Sequence, residues 1–304
     1  MFDIVSVGHF AIDSIFLPGR RKPFTVLGGS VAYASFAARR LGATVSVVSK
    51  VGDDFPDAYV WWLEQEGIDL SGVIKADNVQ TTRFELKYNN NLSNRKLRLK
   101  NKAPPITVKD LPKSLKAKAI HVAPIAGETA YQVVKKLKKC TELLSFDPQG
   151  LVRKLYERGN VNLGSLKNKR ILELVDIFKS SSREIKAATG QSTLDSALKS
   201  VHDYGVETVI VTSGVKGAVL SVEETIYDIP AYKSKKFVDP TGAGDVFIGS
   251  FLAEYIRGEN SFWCACVGSA AASLVVEAAG PTSFGDTTEI YRRARMLYEK
   301  EIKQ

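Results

Sequence analysis

The chain has 304 residues, 44% hydrophobic and 25% charged, which are ordinary globular values and enough length to bury a sizeable core. No apolar run approaches the ~18 residues of a membrane span, and three cysteines (Cys140, Cys264, Cys266) are too few and scattered for a disulfide framework, so a reduced, cytoplasmic chain without a membrane partner is expected. The net charge of +9 gathers at residues 87–118, 135–139, 167–170 and 233–236 without interleaved aromatics, so these runs read as solvated faces and no nucleic-acid partner is expected.

Met1, Phe2, Asp3 and Ile4 open the chain without the basic segment or cleavage site of a signal peptide, and residues 4–7 read as a first strand. Further strands are predicted at 45–50, 119–123, 143–146, 176–178, 208–211 and 218–222. Helices are predicted at 31–41, 59–66, 129–139, 192–204, 246–256, 262–277 and 288–300. This alternation implies βαβ units and a parallel sheet covered on both faces. Residues 12–24 and 80–105 break the pattern: they are polar, alternating and helix-poor, as hairpin strands of a small flap would be. There is no internal repeat and no linker long enough to divide the chain, so 1–304 reads as one domain.

Residues 238–250 carry most of the chemistry. Gly242, Ala243 and Gly244 stand just ahead of the apolar helix predicted from Val246. Small residues let backbone N–H groups point into a concave site, and the helix N-terminus adds partial positive charge, so the loop can seat an anion such as a transferring phosphoryl group. Asp245 would repel that anion unless its task is to take a proton from an attacking hydroxyl. A lone Asp here is commonly a helix cap. Thr241, the paired glycines and an Asp in the first turn together favour the functional reading.

This segment resembles the C-terminal signature of the ribokinase-like (PfkB) sugar and nucleoside kinases. An N-terminal counterpart is similar in Leu27, Gly28, Gly29 and Ser30 through Ala34, then in Leu41, Gly42, Ala43 and in Val51 through Asp54, and the resemblance runs nearly end to end. It implies an α/β fold: a three-layer α/β/α sandwich with a mostly parallel central sheet and a β lid formed from about 12–24 and 80–105. In relatives the lid often makes a homodimer contact. It also implies ATP and Mg²⁺ as the reaction's companions. The chain has no GxxxxGK[ST] phosphate loop, and Phe247 stands where GxGxxG would need its third glycine.

The resemblance assigns roles residue by residue. Asp245 is implied as the base, with backbone N–H groups of Gly242, Ala243, Gly244 and Asp245 as the anion hole. Asp13 is implied as a ligand for substrate hydroxyls, a vicinal diol suiting its two carboxylate oxygens. Gly28 and Gly29 let the backbone approach the substrate. Tyr33 replaces the family's usual Asn and brings bulk and one hydroxyl. Asp147, in Phe146 to Gly150, resembles an Asp-Pro-Asn element with Gln149 for Asn, at a strand end where open α/β sheets place ligands. Thr212, Gly214, Lys216 and Gly217 resemble the nucleotide loop, Lys216 reading as a phosphate contact or an exposed charge, joined by Thr241 and, in a looser match, Gly280. Glu184 matches the Glu of an Asn-x-x-Glu motif, with Ser181 for the Asn, and would organise Mg²⁺ through water. Asp239 falls where many relatives help bind a monovalent cation. His9 reads as a substrate contact or as a satisfied buried histidine.

The resulting expectation is a kinase that moves the γ-phosphoryl group of ATP to a hydroxyl of a small polyol or sugar. The lid run 81–86, Asn94 to Lys96, Tyr33 and residues 146–150 are similar to an archaeal branch of the family that includes myo-inositol kinase. A nucleoside is the main rival, since Tyr33 and Phe10 could stack a base, and a phosphorylated sugar is third. A non-catalytic sensor of polyol or nucleotide on the same scaffold is the alternative from another class.

Overall fold

A computed structural model describes residues 1–302 apart from 93, 224 and 235, so one position of the flap segment, one of the basic run 233–236 and the last two residues lie outside the description. The N-terminal half forms β1 (Phe2–Val7), β2 (Ala11–Phe16), β3 (Phe24–Gly28), α1 (Ser30–Arg40), β4 (Val45–Gly52), α2 (Asp57–Gln65), β5 (Ile68–Ala76), β6 (Thr82–Tyr88) and β7 (Arg95–Asn101). There follow β8 (Ala117–Val122), α3 (Tyr131–Lys138), β9 (Thr141–Phe146), α4 (Gln149–Val152), β10 (Arg153–Leu155), β11 (Val161–Leu163), β12 (Ile177–Ser181), α5 (Ser182–Thr189) and α6 (Leu194–His202). The chain closes with β13 (Thr208–Thr212), β14 (Ala218–Val222), β15 (Thr225–Ile229), α7 (Ala243–Tyr255), α8 (Ser261–Val275) and α9 (Thr287–Ile302).

Nine strands form one sheet in the order β15-β14-β13-β12-β9-β8-β1-β4-β5. The seven strands from β13 to β5 run parallel, and β14 and β15 add antiparallel at one edge. Parallel strands covered on both faces read as near-continuous apolar runs, which is why these strands were legible. Ile4, Val45, Val47, Ala119 and Ile210 face one core with α1, α2, α7, α8 and α9. Val5, Val7, Ile120, Leu144 and Val209 face the other with α3, α5 and α6. The result is the α/β/α sandwich expected from the sequence.

The two polar, alternating segments meet as a separate four-stranded sheet in the order β3-β2-β6-β7. Its apolar side, with Ile15, Phe84 and Leu86, packs with Ile125 and Ala126 beyond β8, so the flap sits as a lid over the C-terminal ends of the parallel strands. Several elements went unforeseen: edge strands β5 and β15, the small hairpin β10–β11 and helix α5.

Candidate active site

Helix α7 begins at Gly242, whose φ of +78° turns the chain into the helix with no side-chain cap. A Cβ on Gly242 would lie 2.1 Å from Cδ1 of Tyr33, so loop and α1 are in contact at this point. The N–H of Ala243 reaches Pro240 O at 3.3 Å and that of Asp245 reaches Gly242 O at 3.0 Å. The N–H groups of Gly242 and Gly244 have no acceptor among the described residues. Among the four N–H groups expected to face an anion, those of Gly242 and Gly244 are therefore the ones left free.

Asp245 stands in the first turn of α7 with its Oδ1 buried and without a hydrogen-bond partner among the described residues. Lys179 Nζ lies 3.9 Å from that oxygen. Burial pushes the Asp245 carboxyl above its ordinary value, Asp147 pushes it further, and Lys179 and the Ser30 hydroxyl hold it down. Asp13, on lid strand β2, is 6% exposed, and its Oδ1 is likewise unpartnered. Burial raises it to about 7, against the pull of Arg95 and Arg153. A Cβ on Gly28 would fall 2.1 Å from Asp13 Oδ2, so only glycine leaves room for the carboxylate.

These groups share one small cavity of about 40 Å³, lined by Asp13, Gly29, Ser30, Arg95, Gln149 and Asp245 among others. That volume is far below the ~300 Å³ of a ligand pocket. A larger cavity of about 630 Å³ lies between α2 and β5, away from both unpartnered carboxylates.

Other expected residues take different positions. Asp147 accepts from Lys179 Nζ at 2.7 Å and from the Gln149 N–H at 2.9 Å, so it is a partner of Lys179 and not a cavity-lining substrate ligand. Tyr33 is 1% exposed and packs against Phe284 and Gly242, and Phe10 is fully buried on Phe55. Neither ring presents a face for a base to stack on, which corrects that part of the nucleoside argument. The Tyr33 hydroxyl nonetheless lies at the cavity, unpartnered among the described residues. His9 proves to be the satisfied buried histidine, with Nδ1 at 2.9 Å from Thr82 Oγ1 and Nε2 at 3.0 Å from Pro104 O.

Glu184 makes a capping box at the start of α5: its Oε2 accepts from the N–H and hydroxyl of Ser181 at 2.9 and 2.6 Å. Its Oε1 has no hydrogen bond among the described residues and remains available. Asp239 accepts three hydrogen bonds, from the Thr241 N–H and hydroxyl at 2.9 and 2.6 Å and from the Gly280 N–H at 3.0 Å, which ties the anion loop to the 280 turn. Thr212 Oγ1 donates to Ser180 O, Gly214 and Lys216 are exposed, and Gly217 is buried against Ile229.

Sequence reasoning missed Lys179, Arg153 and Tyr88, and read Arg95 as a solvated hairpin charge. Arg95 is exposed, as that reading expects, yet it also lines the cavity and donates to Tyr88 Oη at 3.0 Å; Tyr88 Oη in turn lies 2.9 Å from Thr241 Oγ1. Lid and anion loop are thus bonded directly. Arg153 donates to Ile125 O at 2.7 Å and Gln149 Oε1 at 2.5 Å, and Gln149 donates to the Ser30 hydroxyl. Lys179 did leave a signal: it is one charged residue directly after the apolar pair Ile177 and Phe178 of a buried strand.

A carboxylate able to accept a proton, free amides at a helix N-terminus and a second carboxylate under a lid are the parts that phosphoryl transfer to a hydroxyl requires. Comparison with known proteins agrees. The family model for pfkB family carbohydrate kinases matches residues 1–288. A cytidine kinase of Thermococcus kodakarensis is 30% identical over 93% of this chain and 99% of its own, and a nucleoside kinase of Methanocaldococcus jannaschii is 28% identical over 92% of each. A pyrophosphate-dependent kinase of the ribokinase family, solved with a pyrophosphate analog and myo-inositol, shares the fold at a TM-score of 0.79 and 23% identity, over 91% of this chain and 96% of that one. The chain belongs to the pfkB family of carbohydrate kinases and is a phosphotransferase acting on hydroxyl groups.

Proposed function

We propose that the protein transfers the γ-phosphoryl group of Mg²⁺-ATP to a hydroxyl of a nucleoside. The observation that carries the transfer is the unpartnered Oδ1 of Asp245 beside the free N–H groups of Gly242 and Gly244. Asp245 accepts the acceptor's hydroxyl proton as that oxygen bonds to the γ-phosphorus, and the bond from phosphorus to the bridging oxygen breaks to release ADP. The free amides and the α7 dipole stabilise charge on the equatorial oxygens. Asp13 accepts hydrogen bonds from the acceptor's other hydroxyls. The free Oε1 of Glu184 fits a hydrated Mg²⁺, which when bound neutralises phosphate charge.

Two observations weigh toward a nucleoside over the polyol that the sequence put first. The wall of the cavity formed by Phe84, Leu86, Leu97 and Ile125 is apolar, as the flat face of a base would want. The archaeal relatives at 28–30% identity act on cytidine or nucleosides. A second reading, myo-inositol, is favoured by the polar groups at the other side of the cavity: Asp13, Gln149, Arg95 and Arg153 could satisfy a ring that carries a hydroxyl at every carbon.

The test is phosphoryl transfer to nucleosides, myo-inositol, hexoses, pentoses and sugar phosphates, with Mg²⁺-ATP and pyrophosphate as alternative donors. Turnover of nucleosides with ATP supports the proposal. Turnover confined to myo-inositol gives the second reading, and silence on the whole panel overturns both.

A further inference from the structure

Beneath the anion loop lies a buried ion pair to which the reaction as written gives no task. Lys179 on β12 is 4% exposed, and its Nζ donates to Asp147 Oδ2 at 2.7 Å. The same Nζ stands 3.9 Å from Asp245 Oδ1. A Cβ on Gly244 would come within 2.9 Å of it, so the ammonium lies directly against the backbone that seats the phosphoryl group. A charge at this depth is costly to bury unless neighbours of opposite sign surround it, and here two carboxylates do.

We propose that Lys179 is a positioning residue of phosphoryl transfer: anchored by Asp147, it sets its charge under the turn from Gly242 to Asp245 and keeps Asp245 ionised, ready to take the acceptor's proton. The inference rests on Asp245 being the base, as argued above. The charged groups around Asp245 have opposed effects. Burial and Asp147 favour its neutral form, whereas Lys179 on β12 and Arg95 on β7 favour the carboxylate, as does the Ser30 hydroxyl on α1. Asp13, Tyr33 and Arg153 face the same cavity. Asp147 therefore acts twice, as a repulsive charge and as the tether that holds Lys179 3.9 Å from Asp245.

This arrangement has a signature that a merely structural ion pair lacks, because removing its two members moves Asp245 in opposite directions. In Lys179→Met the acid limb of the kcat/KM–pH profile moves up by about 1–3 pH units, since an opposite charge at this distance is lost. Activity at pH 7 falls roughly tenfold or more and recovers toward pH 9, while the KM for Mg²⁺-ATP changes little. In Asp147→Asn the repulsive charge is gone and Lys179 is freed toward Asp245, so the limb moves down. The double variant Lys179→Met/Asp147→Leu, in which no buried charge is stranded, falls between the two and covers the case in which Lys179→Met does not fold.

The same order of shifts is to be read from the ¹³C carboxyl resonance of Asp245 in the protein without acceptor. Wild-type silence on every acceptor, with the ordered carboxyl shifts intact, would count against the kinase reading and against a role in transfer, and leave the coupling of Lys179 to Asp245 standing. Unshifted limbs, or both single variants moving the same way, would overturn the role of Lys179.

Discussion

Gly242→Ala is the substitution whose cost can be worked out most fully. The residue holds φ at +78°, a left-handed conformation that costs an L side chain about 1–2 kcal/mol. The new Cβ would also sit 2.1 Å from Tyr33 Cδ1, and Tyr33 is 1% exposed and packs against Phe284, so its ring has little room to give way. Overpacking of that kind costs about 1–3 kcal/mol, so the two effects together give ~2–5 kcal/mol. At the 2–4 °C per kcal/mol usual for large domains, Tm falls by roughly 4–20 °C. Tyr33→Ala in the same chain should return the steric part and leave the backbone part, so the double variant is less destabilised by Gly242→Ala than the wild type is. Thermal unfolding followed by circular dichroism reads all four proteins. An unchanged Tm in Gly242→Ala, or strict additivity with Tyr33→Ala, would refute the contact between loop and α1.

Two further outcomes follow from buried carboxylates. Asp13 stands near 7 in the folded protein against an ordinary 3.8, so folding takes up a proton between those values and stability falls as pH rises through the window. Asp13→Asn should therefore raise Tm at pH 8 and lose most of that gain by pH 4, while acceptor binding weakens; an equal gain at both pH values would contradict this. Glu128 accepts backbone N–H groups from His9, Ile125 and Ala126 at 2.7–3.1 Å, fixing the segment that leads to Asp13. Glu128→Gln places an amide against those donors and should cost ~1.5–3 kcal/mol in urea unfolding, and a loss under ~0.5 kcal/mol would count against it.

What the sequence made legible was local. Gly242 to Asp245, the glycines at 28 and 29 and the apolar strands β1, β4, β8 and β13 each declare themselves within a few residues. The edge strands did not, because β5 and β15 have half-exposed, mixed patterns that resemble loops. Helix α5 was left out of the predicted helices although Ser181 and Glu184 spell a capping box, because Glu184 at a helix start was set second to its place in a metal motif. The ties that shape the site were beyond reach for another reason. Lys179 meets Asp147 across 32 residues and Tyr88 meets Thr241 across 153, and nothing near either partner in the chain announces the other. Arg95 shows the same limit: in a hairpin of alternating charges, only the folded lid reveals which one reaches Tyr88 and the cavity.

The central claim is that Asp245 is the proton acceptor of a phosphoryl transfer. Single-turnover transfer from Mg²⁺-ATP to the best acceptor, compared between wild type and Asp245→Asn, tests it most directly, with nucleotide affinity measured in parallel. Asp245→Asn keeps the shape of the side chain and removes its basicity, so transfer should slow by roughly 10²–10⁴ while Mg²⁺-ATP binds as before. Equal rates in the two proteins, with nucleotide bound equally, would contradict the account.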